Sequence, residues 1–206
     1  MKRLICSLIL IVLFVPAGCS TLNEYANMAR DEGIPSKAYL ETLNHWTRDR
    51  IVYSEFETKT RIAATLRSPE FVEAYQKEYA RIYAPGTPEA NQAADLQVRG
   101  SAEFLEFYFY AYVPDRDNND FAKANSIWKI YRVDGNGQMV KPVDLREITK
   151  VTPVIEQFFP YVNRYHGKFY SVRFPTANLG PTQGGKPEPI RLVFTSVLAR
   201  VELEWR

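Results

Sequence analysis

The run "FLEFYFYAYVP" (residues 104–114) sets Leu105, Phe107, Phe109, Ala111 and Val113 on one parity and Phe104, Tyr108, Tyr110 and Tyr112 on the other. Side chains alternate across a β-strand, so both faces of this one are aromatic or aliphatic. A strand of that kind must be covered on both sides, whereas an edge strand or a solvated sheet shows one polar face. The run therefore predicts a central strand, with its tyrosine side beneath the helix that precedes it.

That helix is "SPEFVEAYQKEYARIY" (68–83). Ser68 serves as its N-cap, Pro69 takes the first helical position and Glu70 sits in the first turn. Phe71, Val72, Tyr75, Tyr79 and Ile82 form its apolar face. Further upstream, Ser36 caps "KAYLETLNHWTRD", whose Tyr39, Leu40, Leu43 and Trp46 make one helical stripe. Between the two helices the period is two. Val52, Phe56, Ile62, Ala64 and Leu66 share one parity and Glu55, Glu57, Lys59 and Arg61 the other, as in one or two half-buried antiparallel strands.

Downstream, "SIWKIYRVDGNGQMVKPVDL" (126–145) reads as a hairpin, because Asp-Gly-Asn-Gly supplies the positive φ values of a tight turn. "TPVIEQFF" is a short helix behind the Thr152 cap, and "KFYSVRF" is a strand. "IRLVFTSVLARVELEW" (190–205) reads as one long final strand. Its inward parity passes from Ile190, Leu192, Phe194 and Leu198 to Val201, Leu203 and Trp205. A β-bulge near Ser196–Arg200, or burial on both faces at its start, would produce that change. The predicted fold is mainly β (α+β): an antiparallel, β-sandwich-like single domain over 36–206, with two or three short helices.

Composition supports a core without covalent help. The chain has 206 residues, 46% of them hydrophobic, with 12 Phe, 13 Tyr and 3 Trp, and only two cysteines, Cys6 and Cys19. The first eighteen residues contain no acid, the cations Lys2 and Arg3, an apolar run from Leu4 to Val15, and then "PAGCS". The run is shorter than the roughly 20 residues that a membrane-spanning helix needs. A charged start, a short apolar stretch and small residues before a cut site mark a secretory signal peptide.

The Ala17-Gly18-Cys19 junction resembles the lipobox of bacterial lipoproteins, with Pro16 standing where leucine is most common. The resemblance covers about twenty residues. It implies cleavage between Gly18 and Cys19, a diacylglyceryl group on the Cys19 sulfur and an acyl chain on its new amine. The plainer alternative is an ordinary cleaved signal peptide that leaves Cys19 a free thiol. Ser20 in place of aspartate resembles the outer-membrane class. Two or more acyl chains, at about 0.8 kcal/mol per buried CH₂, hold a protein to a bilayer in a way that one does not.

On this reading residues 1–18 are the signal, 19–35 a short membrane-proximal tether and 36–206 the folded domain. Loss of the signal removes Lys2 and Arg3, so the 26 basic residues fall by two to equal the 24 acidic ones. A neutral chain offers no electrostatic footprint for nucleic acid or for anionic lipid. With Cys6 removed and Cys19 acylated, neither a disulfide nor a thiolate site is available.

Chemistry has few footholds. The only imidazoles, His45 beside Trp46 and His166 in "NRYHGK", read as surface or capping residues, and no nucleophile elbow, zinc motif or phosphate loop accompanies them. Asp115, Asp117 and Asn119 have the 1, 3, 5 spacing of a calcium loop, yet Asp120 stands where that loop needs glycine and Ser126 where it needs glutamate. The residues thus name no catalytic group, no metal centre, and no cofactor apart from the covalent lipid on Cys19. Glu55/Glu57 and Glu202/Glu204 sit on outward strand faces.

The expectation is a non-enzymatic, outer-membrane, periplasm-facing lipoprotein that binds or helps assemble another envelope protein. The alternative is a carrier or sensor for an apolar small molecule or lipid, with Tyr108, Tyr110 and Tyr112 in the wall of its pocket. The Pro/Gly-rich loops 84–100 and 176–189 are the natural recognition segments.

Overall fold

The computed structural model describes residues 34–83, 104–134, 137–176 and 189–206. The Gly18–Cys19 junction, the tether through residue 33, loop 84–100, residues 135–136 of the hairpin turn and nearly all of loop 176–189 lie outside the described residues. Ala38–Arg206 group into one compact unit.

The described strands form two antiparallel sheets. The larger has the order β1 (Thr47–Ser54), β2 (Glu57–Leu66), β3 (Phe104–Tyr112), β7 (Lys168–Pro175), β6 (Asp144–Glu147). The smaller runs β5 (Met139–Val140), β4 (Lys129–Val133), β8 (Ile190–Thr195), β9 (Arg200–Trp205). Among the described residues three α-helices accompany them: α1 (Lys37–Trp46), α2 (Pro69–Tyr83) and α3 (Pro153–Phe158). The expected α+β sandwich is therefore the observed one, and β3 is the central strand of its sheet.

Both faces of β3 are covered, each by a different layer. Register sets Phe109 between Ala64 and Tyr170, and Phe107 between Leu66 and Val172. Those side chains point into the sandwich, where Phe109 meets Phe194 at 5.0 Å and Phe107 meets Trp205 at 5.0 Å. Aromatic pairs of this geometry contribute roughly 0.5–1.5 kcal/mol each beyond their buried area. Residues 113–128 cross from one sheet to the other, and Phe121 stacks on Trp128 at 4.6 Å within the same core. On the opposite face Tyr110 and Phe169 lie under Tyr39 and Leu43 of α1, Phe71 of α2 and Phe158 of α3. The helix expected over the tyrosines shares that task with two others.

The local signals explain α2 and α3. Ser68 Oγ accepts the Phe71 N–H at 3.1 Å, and Thr152 Oγ1 accepts that of Ile155 at 3.4 Å. The hairpin at Asp134 forms, with Val133 opposite Met139. Its continuation departs to the other sheet, where β6 pairs with β7 and Leu145 lies opposite Val172.

Two expectations are corrected. The long final strand is a hairpin, β8–β9, with Phe194 opposite Val201 and Leu192 opposite Leu203. Its parity change is a reversal of direction rather than a bulge. Ser196 makes the turn: its N–H donates to Ala199 O at 3.0 Å, and its hydroxyl accepts the N–H groups of Leu198 and Ala199. Phe56, assigned by parity to the buried face, is fully exposed at 103%. β1 and β2 are two strands, and Phe56 stands in the turn between them beside Glu55, whose φ is +57°.

Candidate functional site

On the helix side of the larger sheet, three cross-strand rows span β1, β2 and β3. They are Thr47–Thr65–Tyr108, Asp49–Ala63–Tyr110 and Ile51–Arg61–Tyr112. Around the first row the hydroxyls are linked, with Thr65 Oγ1 2.7 Å from both Thr47 Oγ1 and the Tyr161 hydroxyl. The second and third rows open into a groove. It consists of two hollows that share Tyr161, of about 420 Å³ and 360 Å³.

The first hollow is bordered by Leu40, Asn44 and Asp49, and the second by Arg61, Tyr110, Tyr112, Asn163 and His166. Asp49 and Arg61 join them. Arg61 Nη2 is 2.6 Å and Nε 3.1 Å from Asp49 Oδ2, a fork-shaped pair. That hydrogen bonding raises the proton affinity of Arg61. Burial raises the phenol pKa of Tyr110 and of Tyr161, so both are neutral hydroxyls at physiological pH. Gly167 packs against the Tyr110 ring: a Cβ there would stand 2.5 Å from Tyr110 Cζ and from Ala111 O. Only glycine lets the turn approach so near.

Tyr108 has a different setting. The space beside it, lined by Arg67, Phe71, Val72 and Tyr75, amounts to about 50 Å³. Ligand clefts are usually about 300–1,000 Å³. The Arg67 guanidinium lies over the Tyr108 ring, 5.0 Å from its centroid. Arg67 is also ion-paired to Glu106, whose other oxygen is 3.1 Å from Arg173 Nε. The side chains of Arg67 and Glu106 are 7% and 5% exposed. This buried Arg67–Glu106 pair, joined from the surface by the part-exposed Arg173, was not anticipated, although Glu106 is the lone charge on the tyrosine-bearing parity of its strand.

A second surface lies at the end of the β1–β2 hairpin. Ile51, Tyr53 and Phe56 are all exposed, and β1 is the terminal strand of its sheet. Near its start β1 is held to the smaller sheet, where Arg48 Nε donates to Glu204 O at 2.8 Å. At the tip Glu55 and Glu57 flank Phe56, and Lys59 Nζ lies 2.9 Å from Glu57.

The other sequence candidates take separate places. Asp115 accepts from Asp117 N at 3.0 Å and from Asn118 Nδ2 at 2.9 Å, capping a 3₁₀ turn. Asn119 turns inward, donating to Ala111 O and accepting from the Tyr170 hydroxyl. The three are not brought together, and among the described residues no group of three or more His, Cys, Asp or Glu could hold a metal ion. His45 packs edge-on against Trp46, and His166 borders the groove. Glu202 and Glu204 pair outward with Arg200 and Arg206. Cys19 lies outside the described residues, and no helix among those described is long and apolar enough to cross a membrane.

Fold and surfaces together define a β-sandwich with a helical layer on one sheet, an open groove in that layer and an exposed hairpin at its margin. No protein-family model matches the chain, and neither a curated protein nor a solved structure matches it.

Proposed function

We propose that the chain is an acyl-anchored envelope lipoprotein, outer-membrane and periplasm-facing, whose domain docks non-enzymatically on another envelope protein. The observation that supports docking is the β1–β2 tip. A fully exposed phenylalanine in a turn does nothing for the fold, and burying such a ring on a partner yields about 1.5–3 kcal/mol. Glu55 and Glu57 on either side of it disfavour insertion into a bilayer and favour an apolar pocket with a basic rim. The apolar-carrier alternative has less support, since the space at Tyr108 is only about 50 Å³ and the larger hollow at Tyr110 and Tyr112 is lined also by Arg61, Asn163 and His166.

The test separates anchor from docking. Cys19→Ala should abolish palmitate labelling and release the protein from membranes; persistence of both would sink the anchor. A photo-crosslinking residue at position 56 should join the chain to one envelope protein in intact cells. Phe56→Ser should abolish the corresponding complex while leaving fold and acylation unchanged, and a complex that survives the substitution would count against the tip.

A further inference from the structure

We infer that the groove between α1 and the 160–167 turn binds a neutral oligosaccharide. This goes beyond the docking role of the hairpin and depends on neither Phe56 nor the anchor.

The argument begins with charge. Arg61 and Asp49 offset each other, so apart from the His166 imidazole at its border the groove presents no net cation to attract a phosphate and no net anion to attract an amine. Their pair still offers what hydroxyl groups require. The guanidinium supplies N–H donors and the carboxylate lone pairs on adjoining walls of the groove, and each ligand hydroxyl can serve both. The Tyr112 hydroxyl is likewise both donor and acceptor, and the Asn163 amide adds N–H donors while its Oδ1 accepts the Tyr165 N–H at 3.0 Å.

Shape agrees. Both hollows fall within the range of ligand clefts, about 300–1,000 Å³, and Tyr161 lines both, so that together they leave room for more than one sugar ring. Tyrosines 110, 112 and 161 border the second hollow, and Leu40 and Leu43 the first. Aromatic and aliphatic walls suit the C–H faces of a pyranose, and the ion pair between the hollows suits its rim of hydroxyls. A lipid or other wholly apolar ligand would bury Asp49 and Arg61 without supplying partners for their unused lone pairs and N–H groups, which is costly. The sequence reading set Tyr110 and Tyr112 in an apolar wall; the structure sets both against charged and amide groups.

The test uses the full-length protein as purified from its host, held in zwitterionic detergent so that the outcome is the same whether or not Cys19 is acylated. It is titrated by calorimetry with the N-acetylglucosamine trimer, with maltotriose and with inorganic phosphate. Saturable, salt-insensitive binding of at least one trisaccharide is expected, with none of phosphate. Tyr112→Ala should weaken it about tenfold, whereas Tyr53→Ala, outside the groove, should not change it. Asn163→Ala, in an exposed turn, gives the same reading if Tyr112→Ala unfolds. Failure of both trisaccharides to bind at millimolar concentration, preference for phosphate, or binding indifferent to the groove variants would overturn the inference. A hairpin failure would instead appear in the Phe56 crosslink and leave these titrations intact.

Discussion

Glu106 shows how much one side chain can be asked to hold. It lies in the middle of the larger sheet, among tyrosines, and bridges Arg67 to Arg173. Removing one member of a buried ion pair leaves the other charge uncompensated, and the usual cost is about 3–5 kcal/mol. Glu106→Gln should therefore lower unfolding stability by about 3 kcal/mol in urea titration, with the slope unchanged. A loss near zero would mean that Arg67 reaches water in the native state. The carboxylate is visible in the sequence as an odd charge in an aromatic run, but its partners come from β2's end and from β7. Pairing across strands distant in sequence leaves no local periodicity to read. The groove residues have the same character. Asp49, Arg61 and His166 each look ordinary in sequence, and only strand register and the Gly167 turn gather them beside Tyr112.

Elements were legible where their ends carry their own chemistry. α2 declares its start with Ser-Pro-Glu and its inner face with Phe71, Val72 and Tyr75, and both features recur in the structure. Replacing Ser68 by alanine removes the hydroxyl that accepts the Phe71 N–H and should cost about 1 kcal/mol, seen as a lower melting temperature with helix content otherwise intact. An unchanged melting temperature would show that another group satisfies that N–H. The β8–β9 hairpin, which parity missed, and the β1–β2 hairpin, which parity left open as one strand or two, lack such signals. Ser196–Ala199 and the Glu55–Phe56 turn contain neither glycine nor asparagine. The first turn is held by the Ser196 hydroxyl, and in the second a glutamate adopts a left-handed φ. A period-two pattern survives a tight reversal almost unaltered, so β8–β9 read as one strand with a phase error.

Across the whole molecule, tyrosines are buried both under the helical layer and, at Tyr170, between the sheets, and they leave a mark on alkaline stability. Burial pushes Tyr75 up to about 12 from its ordinary 10, and moves Tyr39, Tyr161 and Tyr170 up further. Each holds its proton more tightly when folded, so its contribution is fully present below pH 10 and is lost as pH rises from there towards 12 and beyond. Loss of far-ultraviolet circular dichroism should begin above about pH 10 and coincide with cooperative tyrosinate absorbance. Titration of all the tyrosines near 10 with the fold intact would contradict this packing. From its sequence alone the chain determined an α+β sandwich with a doubly covered central strand, two or three short helices and the lipobox-like start. These follow from alternation, capping residues and local composition, each of which acts over a few neighbouring residues. Only the tertiary structure decided that β8 and β9 are separate strands, that Phe56 faces solvent, that Glu106 is buried between two arginines, and that Asp49 and Arg61 meet in a groove. Those outcomes depend on which strands lie side by side, a choice made by the joint burial of the two cores rather than by any one segment.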